Sequence, residues 1–249
     1  MAEDRSVLSR PAPGPARSIS YGQDPDQVID VYPAGGRHLP GSALVLVHGG
    51  YWRPEYDRAH LRPMAVALAE AGWPTYLIEY RRIPGDPESG LADVRAAIAA
   101  TAADLGDRKP ILIGHSAGGH LALLAATGAE PCVGAVVALA PVADLVAAAD
   151  RDLDDGAARE LLGQAPPNEY CPTRQPSPSV PVVIVHGDAD DLVPLALSQG
   201  YARAHPRAQL IELAGVAHFA LIDPQSPTWP AVQQAIESID PASAPGMRS

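Results

Sequence analysis

The stretch ILIGHSAGGHLALLAA, Ile111 to Ala126, decides the fold. Its first part, with Pro110, is an unbroken apolar run that reads as a strand buried on both faces. Its second part, from Ala117 to residue 128, is rich in Ala and Leu and reads as a helix. Between them stands Ser116, in the pattern G-x-S-x-G set by Gly114 and Gly118. A nucleophilic serine on a sharp strand-to-helix turn has a strained backbone and crowded neighbours. Glycine two residues away on either side removes the β-carbons that would collide. The turn lifts the hydroxyl clear of the sheet and aims the free N–H groups of the next helix at whatever binds there. The chain has 22 glycines, so the bare pattern arises readily by chance; the flanking strand and helix give it weight.

Outward from this turn, short apolar runs alternate with Ala-rich segments. The runs are QVIDVY (27–32), ALVLV (43–47), PTYLIEY (74–80), PILIG (110–114), GAVVALA (134–140), PVVIVHG (181–187) and QLIEL (209–213). Helices are expected over 61–72, 90–106, 117–128 and after Pro230. Such alternation implies right-handed crossovers and a mainly parallel, twisted sheet with helices on both faces. Hydrophobic residues are 47% of the 249 and aromatics 5%, so Ala, Val, Leu and Ile must build most of the core. One domain is expected over 19–240, with a small cap or crossing segment at 142–180. The Pro- and Ser-rich ends, 1–18 and 241–249, read as a flexible arm and a flexible tail.

Ligands of open α/β sheets bind beyond the carboxyl ends of the strands, so the residues after each run matter most. After ALVLV comes HGGYW, His48 to Trp52. Its glycines let backbone N–H groups approach a ligand closely, as an oxyanion hole requires. The natural donors are Gly50 and Tyr51, joined by Ala117 just after the serine. After PVVIV comes HGDADDLVP, offering His186, Asp188, Asp190 and Asp191. After QLIEL comes AGVAHFALID, which places His218 beyond the last strand. A serine, then an acid, then a histidine is the chain order of one of the three known serine-triad architectures.

Together HGGYW, GHSAGGH, HGDADDLVP and VAHF resemble the α/β-hydrolase superfamily over roughly residues 25–240. Within it they are similar to the kynurenine formamidase-like group and to small carboxylesterases related to hormone-sensitive lipase. Members carry the triad acid at the last position of H-G-x-x-D, here Asp190. The resemblance therefore implies Ser116 as nucleophile, His218 as base and Asp190 as orienting acid. Asp188 is then a turn residue and Asp191 a surface or capping one. One departure bears on substrate: formamidase-like proteins tend to show NYR after the third strand, and this chain has EYRR, Glu79 to Arg82.

Bland roles are expected for the other histidines. His115 should point away from the substrate, and His48 and His186 should hydrogen-bond within their turns. His38, His60, His120 and His205 should be surface or packing residues. Gly49 belongs to the close-approach turn, Trp52 should brace it, and Tyr80 and Arg81 should pack and pair near the sheet. The 142–180 segment is too short for a large lid, so a small acyl group is expected rather than a long lipid chain.

The expected activity is serine hydrolysis of a small ester or N-formyl amide, with no metal or organic cofactor. The alternatives are a short-chain carboxylesterase acting on acetylated carbohydrate or xenobiotic esters and, more remotely, a binding protein on a hydrolase scaffold. The net charge of −11 repels phosphate backbones, so nucleic acid is not an expected partner. No apolar run reaches membrane-spanning length, and the N-terminus lacks a signal-peptide core. Cys132 and Cys171 form neither a disulfide framework nor a metal pattern. A cytoplasmic protein with a small-molecule substrate is expected, and a homodimer is left open.

Overall fold

Strands that are apolar on every residue need cover on two sides, and the computed structural model supplies it. The model describes residues 3–35, 42–106, 108–127 and 132–240; His38, residue 128 and the expected tail at 241–249 lie outside these. Among the described residues one sheet contains β1 (Arg17–Ser20), β2 (Val28–Tyr32), β3 (Leu44–Val47), β4 (Thr75–Ile78), β5 (Ile111–His115), β6 (Ala135–Leu139), β7 (Val182–Gly187) and β8 (Gln209–Leu213). The strand order is β1-β2-β4-β3-β5-β6-β7-β8. β1 and β2 run antiparallel to their neighbours, and every pair from β4 to β8 is parallel. The helices are α1 (Arg62–Glu70), α2 (Pro87–Asp104), α3 (Ala117–Ala125), α4 (Leu145–Asp150), α5 (Leu153–Leu162), α6 (Leu195–Ala204) and α7 (Trp229–Ile239).

Side chains alternate across a strand, so each run divides between two cores. Leu44, Leu46, Ile111 and Ile113 pack with Met64 and Leu68 of α1 and with Val232 and Ile236 of α7. Val45, Val47 and Leu112 pack on the other face with Val94 of α2 and Leu121 of α3. Each fully buried aliphatic side chain contributes about 1.5–3 kcal/mol. Local signals place the helix starts: Asp86 accepts from Ser89 N–H at 3.1 Å, with Pro87 next in the first turn of α2.

β3 and β5 are neighbours, yet α1 leaves β3 on one face and α3 leaves β5 on the other. Chains that diverge this way open a crevice at the strand ends. HGGYW stands at one lip and GHSAG at the other. The segment expected as a small cap carries α4, α5 and two 3₁₀ turns, Pro167–Tyr170 and Pro172–Arg174. Among the described residues no helix is long and apolar enough to cross a membrane.

The reading of residues 1–18 as a flexible arm is corrected for the described residues. Ser6–Ser9 forms a 3₁₀ turn, and Val7, 1% exposed, enters the core on the α1 face. The Arg10 guanidinium pairs with Asp223 through both carboxylate oxygens. Residues 17–20 form edge strand β1, with Ser20 opposite Val28. Partners distant in the chain hold this segment, and composition does not report them. The expected helices also omitted α6.

Beside the HGGYW turn lies a buried charge cluster centred on Glu79, which is 1% exposed. Its Oε1 is 2.7 Å from His48 Nε2 and accepts from Arg82. Its Oε2 accepts from the Arg58 backbone N–H at 2.9 Å. Arg58 Nε also donates to buried Asp30 at 2.8 Å. Tyr80 donates to the His48 carbonyl at 2.9 Å and stacks on its ring with centroids 4.5 Å apart. Arg81 pairs with Asp93 at 2.8 Å. The Glu that departs from NYR thus ties the end of β4 to the end of β3. Burial pushes the Glu79 carboxyl up, but the His48 hydrogen bond, the His48 and Arg82 charges and the Arg58 N–H outweigh it and hold it down at about 2. A folded value below the ordinary 4.5 means stability that is fully present above pH 4.5 and lost as pH falls towards 2. Glu79→Gln should therefore lower urea-unfolding stability near pH 7 and cost progressively less below pH 4.5. An equal cost at every pH would contradict this assignment.

Candidate active site

Ser116 has φ 57° and ψ −120°, a region that costs a residue with a β-carbon about 1–3 kcal/mol. Neighbouring backbone enforces it. Ser116 N–H donates to Leu139 O at 2.9 Å, and its carbonyl accepts from His120 N–H at 3.1 Å and Val142 N–H at 3.2 Å. The flanking glycines are required by contact. A β-carbon on Gly114 would stand 2.3 Å from Gly118 O, and one on Gly118 would stand 2.2 Å from Val47 O. As the first residue of α3, Ala117 has an N–H with no acceptor within its own helix.

The HGGYW turn is also strained. Gly50, Tyr51 and Trp52 have φ of 107°, 48° and 58°. A β-carbon on Gly50 would meet Tyr56 Cβ at 2.4 Å. A β-carbon on Gly49 would stand 3.0 Å from Ser116 Cβ, so the turn lies directly against the elbow. Tyr51 OH anchors it by donating to Leu192 O at 2.7 Å. Trp52 is buried, with its ring edge-on to His120 at 5.0 Å, and braces the turn from behind. His48 is wholly buried with both ring nitrogens in polar contact, to Gly49 O at 2.7 Å and to Glu79.

Across the crevice, His218 Nδ1 lies 2.6 Å from Asp190 Oδ2. The other oxygen of Asp190 accepts from Leu192 N–H at 2.9 Å and Val193 N–H at 2.8 Å. Burial pushes the Asp190 carboxyl up, yet hydrogen bonds from His186 and His218, the His218 charge and the Val193 N–H outweigh it and hold it below the ordinary carboxylate range. An ionised carboxylate only accepts, so Nδ1 of His218 carries a hydrogen, and in the neutral ring Nε2 is left as the acceptor. Asp188 faces elsewhere and accepts from Gly215 N–H at 2.6 Å, while Asp191 is exposed. His186 bonds Ser198 Oγ at 2.7 Å and Val193 O at 2.9 Å, and its Nε2 also lies 3.3 Å from Asp190 Oδ2.

Ser116, His218, Gly50 and Tyr51 line one cavity of about 280 Å³. Two histidines read as bland also line it. His115 does not point away: its ring lies against that of His218, centroids 4.4 Å apart, with Nε2 3.3 Å from His218 O. Burial holds its pKa well below the ordinary value, so it is a neutral neighbour. His60 also faces the cavity, and burial lowers its pKa to about 4. Nothing in DRAHL signals this position. Arg5 and Leu8 line the cavity as well, from the segment read as a loose arm. His120 and His205 pack internally, each with ring Nε2 near a backbone carbonyl: Tyr170 O at 2.7 Å and Pro172 O at 3.2 Å. Among the described residues no group of His, Cys, Asp or Glu is arranged to hold a metal ion.

Known proteins resemble this chain in sequence or in fold. Esterase LipQ of Mycobacterium tuberculosis is 30% identical over 235 residues, covering 77% of this chain and 54% of LipQ; the chain thus spans about half the length of the curated relative it matches. The thermophilic esterase Est2 of Thermogutta terrifontis, with propionate bound, superposes with TM-score 0.67 at 26% identity, over 90% of this chain and 91% of that one. The acetyl ester-xyloside bifunctional hydrolase of Caldicellulosiruptor lactoaceticus superposes with TM-score 0.72 at 20% identity, over 91% and 97%. The fold is that of the α/β-hydrolase esterases. The model of the family described as BD-FAE matches residues 29–204, a span that holds the HGGYW turn, Ser116 and Asp190 and is well over half the chain, so the chain belongs to the BD-FAE family.

Proposed function

We propose that the protein is a serine hydrolase that cleaves short-acyl esters through an acyl-enzyme. One observation carries this reading: Ser116, on a strained elbow, shares a cavity with His218, whose far nitrogen is held by buried Asp190 at 2.6 Å. Ser116 Oγ attacks the ester carbonyl while His218 Nε2 takes its proton. The oxyanion falls to the N–H groups of Gly50, Tyr51 and Ala117. His218 returns the proton to the leaving alcohol, and water releases the acid by the same route. Asp190 stays ionised and stabilises the imidazolium.

The relatives support an ester substrate. LipQ is named an esterase, Est2 holds propionate, and the Caldicellulosiruptor enzyme is named for an acetyl ester. A cavity of about 280 Å³ suits a small acyl group. The finer reading of an N-formyl amide rests on HGGYW, since amides and esters pass through the same kind of tetrahedral intermediate. Acetylated carbohydrate is the other reading, on the likeness to the bifunctional hydrolase. Both belong in one panel: aryl acetate, butyrate and octanoate, acetylated xylose and N-formylkynurenine. Turnover of N-formylkynurenine above about 10⁴ M⁻¹s⁻¹, ordinary for a true substrate, selects the formamidase reading.

Three outcomes follow from the assignment. Ser116→Ala should lower kcat at least about 10³-fold, because the covalent route is gone while binding remains. Retention of a tenth of wild-type turnover in a clean preparation would remove Ser116 from the mechanism. Asp190→Asn should cost about 10²-fold or more by disturbing the His218 tautomer, and Asp188→Asn far less. The reverse order would move the acid by two positions. With p-nitrophenyl esters, kcat/KM should peak at four carbons or fewer and fall by eight. Each further methylene gains about 0.8 kcal/mol only where apolar cover exists. A preference for octanoate would show a deeper acyl site.

A further inference from the structure

Residues 3–10 lie outside the span matched by the family model, yet they reach the cavity. Both oxygens of the Glu3 carboxylate are engaged by one loop: Oε2 accepts from His218 N–H at 3.0 Å and Oε1 from Phe219 N–H at 3.0 Å. These N–H groups open the 3₁₀ turn Phe219–Leu221, whose start has no local side-chain cap. Free donors at a helix start need an acceptor, and here it comes from 215 residues away in the chain. The segment that carries Glu3 is itself fixed. Val7 is buried in the core, Arg10 is clamped to Asp223, and Ser6–Ser9 packs against the 3₁₀ turn Arg58–Leu61 that bears His60. Between these anchors the Arg5 guanidinium lies 5.6 Å from the centre of the Phe219 ring, and Arg5, Leu8 and Phe219 all line the cavity that contains Ser116 and His218.

We propose that Glu3–Arg10 is a built-in wall of the active site: Glu3 is the positioning residue for the His218 loop, and Arg5 and Leu8 limit the leaving group. The inference rests on the hydrolase reading above. A base that returns its proton to the leaving oxygen must have the alcohol on its own side of the cavity. That side carries His218, Phe219 and the Arg5 side chain over Phe219. Glu3 acts through backbone and touches no reacting atom. Its removal leaves two N–H groups at the turn without their acceptor and frees the loop that aims the imidazole. Because a displaced base slows proton transfer without changing how the acyl group sits, kcat should suffer and KM should not.

The test is steady-state kinetics on the full chain with p-nitrophenyl acetate, and with acetate esters whose alcohols run from methyl to naphthyl. Glu3→Ala should lower kcat about tenfold or more, as expected when a charge-assisted hydrogen bond is lost, with KM within about twofold. Glu3→Gln, which keeps size and one acceptor oxygen, should fall between and covers the case in which Glu3→Ala does not fold. Leu8→Ala should shift the preference along the alcohol series towards naphthyl and leave the acyl-length preference in place. An active wild type whose folded Glu3 variants keep kcat within twofold overturns the positioning role. A Leu8→Ala variant with unchanged alcohol preference, or with an equal shift along the acyl series, overturns the wall. A wild type that neither hydrolyses esters nor reacts with a fluorophosphonate overturns the hydrolase reading, and the segment's role with it.

Discussion

At Gly118 the backbone of α3 lies against the carbonyls of Val47 and His48, where a β-carbon would stand 2.2 Å and 2.4 Å from the two oxygens. This contact brings the ends of β3 and β5 together, and the site depends on it. It lets α3 start immediately after Ser116. It also sets Gly49 beside the serine, so that the turn after β3 and the turn after β5 share one cavity. A second contact of the same kind joins the neighbouring loops, where Ala189 N–H donates to Val216 O at 3.1 Å. Asp190 and His218 are brought to the same end of the sheet by backbone.

Strain and burial then work in one direction. The left-handed conformations at Tyr51, Trp52 and Ser116 would relax in an isolated peptide. Here a mainly parallel sheet covered on both faces holds them. Behind the HGGYW turn the Glu79 cluster adds a polar anchor in which His48 and Arg82 meet one carboxylate. Removing one member of such a cluster strands the others in a low-dielectric interior, which makes the turn hard to displace by degrees.

Much of this was legible in the sequence, for physical reasons. Strands covered on both faces are apolar throughout, so β3, β5, β6 and β7 stand out in the chain. The close approaches at Gly114 and Gly118 demand glycine, so the elbow announces itself. Ser116, Asp190 and His218 follow strand ends, which is where an α/β sheet presents ligands. Other parts leave no such trace. β1 is an edge strand of Arg, Ser, Ile and Ser, with one partly buried residue and no apolar run. The N-terminal segment is held by Val7, by Arg10 with Asp223 and by Glu3 with the His218 loop. These partners are distant in sequence. The facing of an imidazole is equally hidden. His115 follows the strand alternation of β5 and was expected to turn away, yet its ring rests on His218.

The measurement that bears most directly on the account is covalent labelling. Wild-type protein treated with a fluorophosphonate and analysed by peptide mass spectrometry should carry one adduct, on the peptide containing Ser116. Loss of ester hydrolysis should run in step with labelling. An adduct on another residue, or full ester hydrolysis by protein labelled stoichiometrically at Ser116, would contradict the account.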